Sequence, residues 1–312
     1  MREIVFLDTL TMGKVSNLKV LDKFGHVTYY ETTSAEEVFP RIKGKEVVVT
    51  NKVVISEAHM RACPELKLIC IAATGTNNVD LNYAEEAGIA VMNAVDYSSD
   101  SVAQFTVGML LHLLNKTTYY DQFVHNGAYS ALQIFTHIGP SFFELKDKKA
   151  GIVGLGNIGG KVAHILEAFG MEVLYYSSSD TSRSNKYKKV SLKELMSNCD
   201  VISIHAPLTD KTKNLIGAEE LSLMKSHALI LNTGRGGILD EEALVEAINN
   251  GEIGGAGIDV YEKEPLPKGH ILLQCKFPEK LLLTPHVAWA SQESRHLLMD
   301  RVAENILKFY ES

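Results

Sequence analysis

The chain has 312 residues, a length that fits about two domains rather than one small core or a long modular array. Its 46% hydrophobic and 22% charged residues exclude a disordered or fibrous protein. With 31 basic against 38 acidic side chains the net charge is −7, a poor electrostatic match for nucleic acid or anionic lipid.

The apolar runs, such as Val107–Leu114 and Ala228–Leu231, fall well short of the ~20 residues a membrane-spanning helix needs. The N-terminal stretch Met1–Asp8 reads as a strand and not as a secretion signal. Cys63, Cys70, Cys199 and Cys275 form no C-x-x-C pair and read as buried, reduced thiols of a cytoplasmic protein.

In chain order, β-branched runs predict strands at 3–8, 26–31, 46–51, 67–72 and 89–93, with helix candidates between them. Such alternation calls for a mostly parallel sheet covered on both faces. From Ser99 apolar residues recur at helical spacing to about Tyr120, which predicts the longest helix of the chain. A loop rich in Gly, Pro and aromatics follows over 126–143. Then six further strands are expected, at 149–153, 172–176, 200–205, 228–232, 255–260 and 281–284, with helices such as 158–169 and 241–249 between them. A last helix over 291–310 has no strand after it and is expected to return to the first lobe, making that domain discontinuous. The expected domains are residues 1–99 with 286–312, and residues 100–285.

Gly154-Leu155-Gly156-Asn157-Ile158-Gly159 follows a predicted strand and opens a predicted helix, the context of a dinucleotide site. The first glycine permits the turn, the second admits a pyrophosphate to backbone amides, and the third lets helix and strand pack closely. Where an NAD site wants an acidic residue at the end of the next strand, this chain has Ser177 and Ser178, with Arg183 and Lys186 on the same loop. Hydroxyls and cations there suit a 2′-phosphate and favour NADP, while NAD held through the hydroxyls is the open alternative. The remaining histidines show no metal-ligand spacing, so no metal is expected.

Three more segments close predicted strands of the second lobe: Asn232-Thr233-Gly234-Arg235-Gly236, Asp259 to Pro265, and Thr284-Pro285-His286-Val287-Ala288-Trp289. With the glycine loop, Thr74 to Asp80 and His205 to Thr209, they make the chain similar over essentially its whole length to the D-isomer-specific 2-hydroxyacid dehydrogenase family. Trp289 resembles the glycerate dehydrogenase, or hydroxypyruvate and glyoxylate reductase, branch. The resemblance implies an α/β protein of two domains, a Rossmann-type doubly wound parallel sheet and a smaller flavodoxin-like substrate domain. It implies a cleft between them, hinge closure during turnover, and a homodimer, for which the helix from Ser99 offers a face.

The chemistry of reducing a 2-oxo acid explains the residue types. A cation must hold the carboxylate and polarise the ketone, and Arg235 fits because its planar fork binds a carboxylate through two hydrogen bonds. An acid must protonate the nascent alkoxide, and His286 fits. Glu264 fits as the carboxylate that orients the ring and favours its charged form. The resemblance further implies substrate carboxylate contacts from the Thr74 and Gly75 backbone. It implies cofactor contacts from His205, Ala206 and Pro207, from Thr233 and Gly234, from Asp259, and from Thr106 on the long helix. Two other readings stay open: a dinucleotide-sensing, corepressor-like binding protein, for which this chain offers no charged tail, and a phosphoglycerate dehydrogenase, for which it offers no C-terminal regulatory domain.

Overall fold

The structure, a computed structural model, describes residues 1–179 and 184–311. They form two compact units, one of residues 1–98 with 289–312 and one of residues 99–288. His286, which the sequence reading put at the start of the returning segment, thus belongs to the second unit.

The first unit is a parallel sheet of β1 (Arg2–Phe6), β2 (Gly25–Tyr29), β3 (Val47–Thr50), β4 (Leu68–Ile71) and β5 (Ala90–Asn93). Its order is β2-β1-β3-β4-β5, the flavodoxin-like arrangement. Side-chain alternation sends Ile4, Phe6, Val47, Val49, Leu68 and Cys70 to one face. That face is covered by the C-terminal helix Gln292–Glu311 through Leu298, Met299, Val302 and Ile306. Val5, Val48, Ile69 and Ile71 face the other way, against α1 (Ala35–Ile42), α2 (Glu57–Arg61) and α3 (Leu81–Glu86). The connection from β1 to β2 is made of two 3-10 segments, Thr9–Met12 and Leu18–Phe24, where the sequence suggested an α-helix.

The second unit begins with α4 (Ser99–Asn115) and α5 (Thr117–His125). The sequence predicts one helix to about Tyr120, but Lys116 takes a left-handed φ of 55° and divides it. The hydroxyls of Thr117 and Thr118 each lie 3.1 Å from a ring nitrogen of His112, a side-chain bond that competes with helical continuation. The longest helix is therefore the C-terminal one, 20 residues against 17 for α4.

There follow β6 (Lys149–Val153), α6 (Asn157–Ala168), β7 (Glu172–Tyr176), β8 (Lys188–Lys189), α7 (Leu192–Asn198), β9 (Val201–Ile204), α8 (Ala218–Ser222), β10 (Leu229–Asn232), α9 (Glu241–Asn249), β11 (Gly255–Ile258) and β12 (Leu281–Leu283), before the C-terminal helix, α10. The sheet is parallel, ordered β12-β11-β10-β9-β6-β7-β8. It has one strand more than the six expected; β8 is a two-residue lysine strand with no apolar pattern to betray it. The strands are almost wholly buried, as a sheet covered on both faces requires. The order reverses at β6, between β9 and β7, so the loops leaving the carboxyl ends of β6 and β9 part there and open a crevice.

Candidate active site

β6 turns at Gly154, whose φ of +93° suits glycine and whose Cβ, if present, would lie 2.6 Å from the Ala206 nitrogen. A Cβ on Gly159 would lie 2.2 Å from the Gly154 oxygen, so helix and turn touch through bare backbone. At Gly156, the N-cap of α6, a Cβ would meet nothing within 4 Å, and Gly156 and Asn157 are exposed. The first and third glycines therefore serve the fold. The second leaves room in front of the first-turn N–H groups of α6, the space an anionic pyrophosphate needs. Ile158 packs its side chain toward the core, leaving its backbone as the group facing that space.

His205 and Ala206 form the wall that Gly154 abuts. The His205 ring points inward, Nε2 lying 2.8 Å from Ser203 Oγ and Nδ1 buried without a hydrogen-bond partner. Burial pulls its titration down to about 3, so the ring is neutral. Pro207 is exposed beyond it. After β7, Ser177 Oγ accepts the Ser179 N–H at 3.2 Å. Lys186, expected beside a 2′-phosphate, instead pairs with Glu167 of α6. Arg183 lies outside the described residues. Lys189 of β8, which the sequence reading passed over, donates to the Ser179 carbonyl and brings a cation to this turn.

The other rim is built by three neighbouring strand ends. After β10, Asn232 folds the turn with its own amide: Oδ1 accepts the Gly234 N–H at 3.1 Å and Nδ2 donates to the Arg235 carbonyl at 3.0 Å. Arg235 Nη1 donates to the Gly234 carbonyl at 2.7 Å, and the side chain is partly exposed. Thr233 Oγ1 lies 2.8 Å from Thr106 Oγ1, which itself donates to the Val102 carbonyl at 2.7 Å. Thr106 is wholly buried, so it supports the Thr233 turn and offers no surface to a cofactor, contrary to the expectation from resemblance.

After β11, Asp259 is 1% exposed and both its oxygens are engaged. Oδ1 accepts from Thr284 Oγ1 at 2.6 Å and from the Val287 N–H at 2.9 Å, and Oδ2 from the Ala288 N–H at 2.9 Å. Burial raises its carboxyl against the opposing pull of these donors. These bonds staple the turn after β12. That turn holds His286 in a left-handed φ of 52°, its N–H donating to the Asp259 carbonyl at 2.8 Å. Tyr261, which the sequence reading also missed, ties the two turns by donating from its hydroxyl to the Thr284 carbonyl at 2.8 Å. Burial, reinforced by the charges of Asp259, Glu264 and Glu241, pushes this phenol up to about 12.

His286 Nδ1 lies 2.7 Å from Glu264 Oε2, and Glu264 Oε1 accepts the Tyr261 N–H at 3.0 Å. A carboxylate only accepts, so Nδ1 carries the proton of this bond and Nε2 is the nitrogen that exchanges one. The side chains are 27% and 33% exposed, within reach of a small molecule. Arg235, Glu264 and His286 thus come from consecutive strand ends of one unit. Thr74 and Gly75 belong to the first unit, at the carboxyl end of β4; among the described residues neither backbone N–H donates a hydrogen bond. Among the described residues no cluster of three or more His, Cys, Asp or Glu could hold a metal, and no helix is long and apolar enough to cross a membrane.

A glycine turn at the switch point of this strand order, with a histidine–carboxylate pair and an arginine across the rim, defines a nicotinamide-dinucleotide oxidoreductase. Residues 107–288 match the family described as D-isomer specific 2-hydroxyacid dehydrogenase, NAD binding domain. The chain is 38% identical over 309 residues to the glycerate dehydrogenase of Methylorubrum extorquens, covering 99% of this chain and 96% of that one. It is 36% identical over 296 residues to the hydroxypyruvate reductase of Blautia hydrogenotrophica, covering 93% and 91%. Among solved structures, an NADPH-dependent glyoxylate/hydroxypyruvate reductase from Sinorhizobium meliloti, in complex with NADP and malonate, superposes with a TM-score of 0.83 at 28% identity, covering 100% of this chain and 94% of that one. The chain belongs to the D-isomer-specific 2-hydroxyacid dehydrogenase family, and it is an NAD(P)-dependent oxidoreductase of small 2-hydroxy and 2-oxo acids.

Proposed function

We propose that the protein reduces hydroxypyruvate or glyoxylate to the corresponding 2-hydroxy acid, with His286 as general acid. The 2.7 Å pair of His286 with Glu264 carries this reading, since it supplies an oriented proton donor at a strand end beside the Arg235 turn. A bound reduced nicotinamide supplies the hydride, and Gly154 to Gly159 with the first turn of α6 are the residues that would hold its pyrophosphate. Arg235 binds the substrate carboxylate and draws charge toward the ketone oxygen. As negative charge gathers on that oxygen, the protonated His286 ring gives it the Nε2 proton, while Glu264 balances the ring through Nδ1. In the reverse direction the same nitrogen takes the proton back.

NADPH is the donor we assign first: β7 is followed by Ser177 and Ser178, hydroxyls where an NAD site wants a carboxylate, and Lys189 stands at the same turn. The partner we assign is a second copy of the chain. α5 and the segment after it expose Val124, Ile134, Phe135, Ile138 and Phe142, with Phe135 at 90% and Ile138 at 89%, an apolar face that calls for burial. α4 buries its apolar residues in its own unit and is not that face. Cys63, Cys70 and Cys199 are buried and Cys275 is partly so, all as free thiols, which suits the cytoplasm.

Initial rates with NADPH and NADH, each against hydroxypyruvate, glyoxylate, pyruvate and 3-phosphohydroxypyruvate, test the assignment. Turnover of the first two acids with NADPH is expected. Turnover with NADH alone would remove the 2′-phosphate argument and keep the chemistry, and turnover of 3-phosphohydroxypyruvate alone would replace the substrate. Sedimentation equilibrium tests the dimer, and a monomer at micromolar concentration would refute it.

A further inference from the structure

The turn Tyr261–Glu264 is also gripped from a side that the proton transfer does not use. Glu241, the first residue of α9, accepts the Glu262 N–H at 2.9 Å through Oε1 and lies 3.2 Å from His270 Nε2 through Oε2. The two side chains are 9% and 21% exposed. His270 precedes the 3-10 segment Ile271–Gln274, and its Nδ1 accepts the Leu272 N–H at 3.4 Å. A ring whose Nδ1 accepts carries its proton on Nε2, the nitrogen that lies 3.2 Å from Glu241. Burial raises the Glu241 carboxyl, the Glu262 N–H and His270 oppose the rise, and the neighbouring Glu262 and Asp240 charges add to it.

Helix capping does not account for this arrangement. Asp240 already caps α9, its Oδ1 accepting the N–H groups of Glu242 and Ala243 at 3.0 Å. The peptide that Glu241 holds is instead the one on which the Arg235 turn rests, since a Cβ on Gly236 would lie 2.4 Å from the Glu262 nitrogen. Glu241 comes from the same stretch of chain, six residues beyond Arg235. On the roles given above to Arg235, Glu264 and His286, we propose that Glu241, oriented by His270, is a positioning residue: it clamps the Tyr261–Glu262 peptide against the Arg235 turn and thereby aims Glu264 at His286.

The test compares His270→Asn, which keeps an acceptor for the Leu272 N–H and withdraws the Nε2 that lies near Glu241, with Glu241→Ala. Hydrogen exchange of the full-length protein, resolved to single amides, is expected to quicken by about 10-fold or more at both Glu262 and Tyr261 in each variant. The Tyr261 amide reports on Glu264, its acceptor. Faster exchange at Glu262 alone, or at neither, overturns the proposal. Steady-state kinetics should show kcat lowered about 3- to 10-fold with KM for NADPH unchanged, and no further loss when the change is made in a Glu264→Gln background. An additive loss overturns it. If Glu241→Ala does not fold, His270→Asn decides, because it leaves every carboxylate in place. A wild-type protein that turns over no 2-oxo acid would sink the proposed function instead, and the exchange result would still decide the clamp.

Discussion

Gly236 and Tyr261 are in backbone contact: a Cβ on the first would lie 1.9 Å from the carbonyl oxygen of the second. The turn bearing Arg235 and the turn bearing Glu264 therefore share one surface with no side chain in it. Gly236→Ala must push them apart. We expect a stability loss of about 1–3 kcal/mol in denaturant titration, with a fall in kcat/KM larger than that of a surface Gly→Ala control. Unchanged kinetics would show that the two turns work independently.

The glycine loop predicts a separation of folding from binding. Gly159→Ala should destabilise, because its Cβ would meet the Gly154 carbonyl. Gly156→Ala should melt close to wild type, because its Cβ meets nothing, yet bind NADPH on the order of 10-fold more weakly, because a methyl group then occupies the phosphate approach. Melting curves and fluorescence titration read the two effects. Wild-type affinity in Gly156→Ala would place the pyrophosphate elsewhere.

Removing the carboxylate clamp should cost more than blunting it. Arg235→Ala is expected to lower kcat/KM by roughly 10²- to 10³-fold, and Arg235→Lys by less, since charge survives and the two-point fork does not. Turnover of every 2-oxo acid at the wild-type rate in Arg235→Ala would assign the carboxylate to another group.

Asp259→Asn replaces one acceptor oxygen by an amide that faces a donor, whether the Ala288 N–H or the pair from Thr284 and Val287. The expected loss is about 1–3 kcal/mol of stability. A drop in kcat should accompany it, because the stapled turn carries His286. Wild-type stability in this variant would mean that the carboxylate is not the staple.

His205 gives the acid side of the stability profile a definite slope. The ring titrates at about 3 in the folded chain against an ordinary 6.5. Between these values the unfolded chain binds a proton that the native chain refuses, so this group makes stability rise with pH, by at most about 1.4 kcal/mol per pH unit. That contribution is complete above 6.5 and is lost as the pH falls toward 3. His205→Leu should accordingly lose less melting temperature than wild type between pH 6.5 and 4.5; parallel curves would contradict a buried neutral ring.

Much of this was visible in the sequence because it depends on local pattern. Strands such as Val47–Thr50 and Leu68–Ile71 are continuous β-branched or apolar runs, and the glycines announce the turn after β6 by spacing alone. Arg235, Glu264 and His286 lie in segments that follow predicted strands, but it is the resemblance to a family and the needs of 2-oxo acid reduction that pick them out of those segments. What escaped is set by tertiary contact. Nothing local distinguishes Thr106, which bonds Thr233 across 127 residues, from a helical threonine facing a ligand. Nothing local shows that Asp259 accepts three hydrogen bonds from a turn more than twenty residues later. Lys186 and Lys189 are alike in sequence, and only the position of Glu167 on α6 decides which of them stays near Ser177.

The parallel neighbours β10, β11 and β12 carry Arg235, Glu264 and His286 in the order in which the chain makes them. Each step across a twisted sheet rotates the strand axis by roughly 20–25°, so the outer two strands leave the sheet at directions about 45° apart. The segments that go on to bear the three groups therefore leave the sheet in successively turned directions, and the hand of that turn is inherited from the twist of L-peptide strands. On the roles proposed above for Arg235 and His286, the carboxylate clamp and the proton donor reach the substrate from segments that set out in different directions.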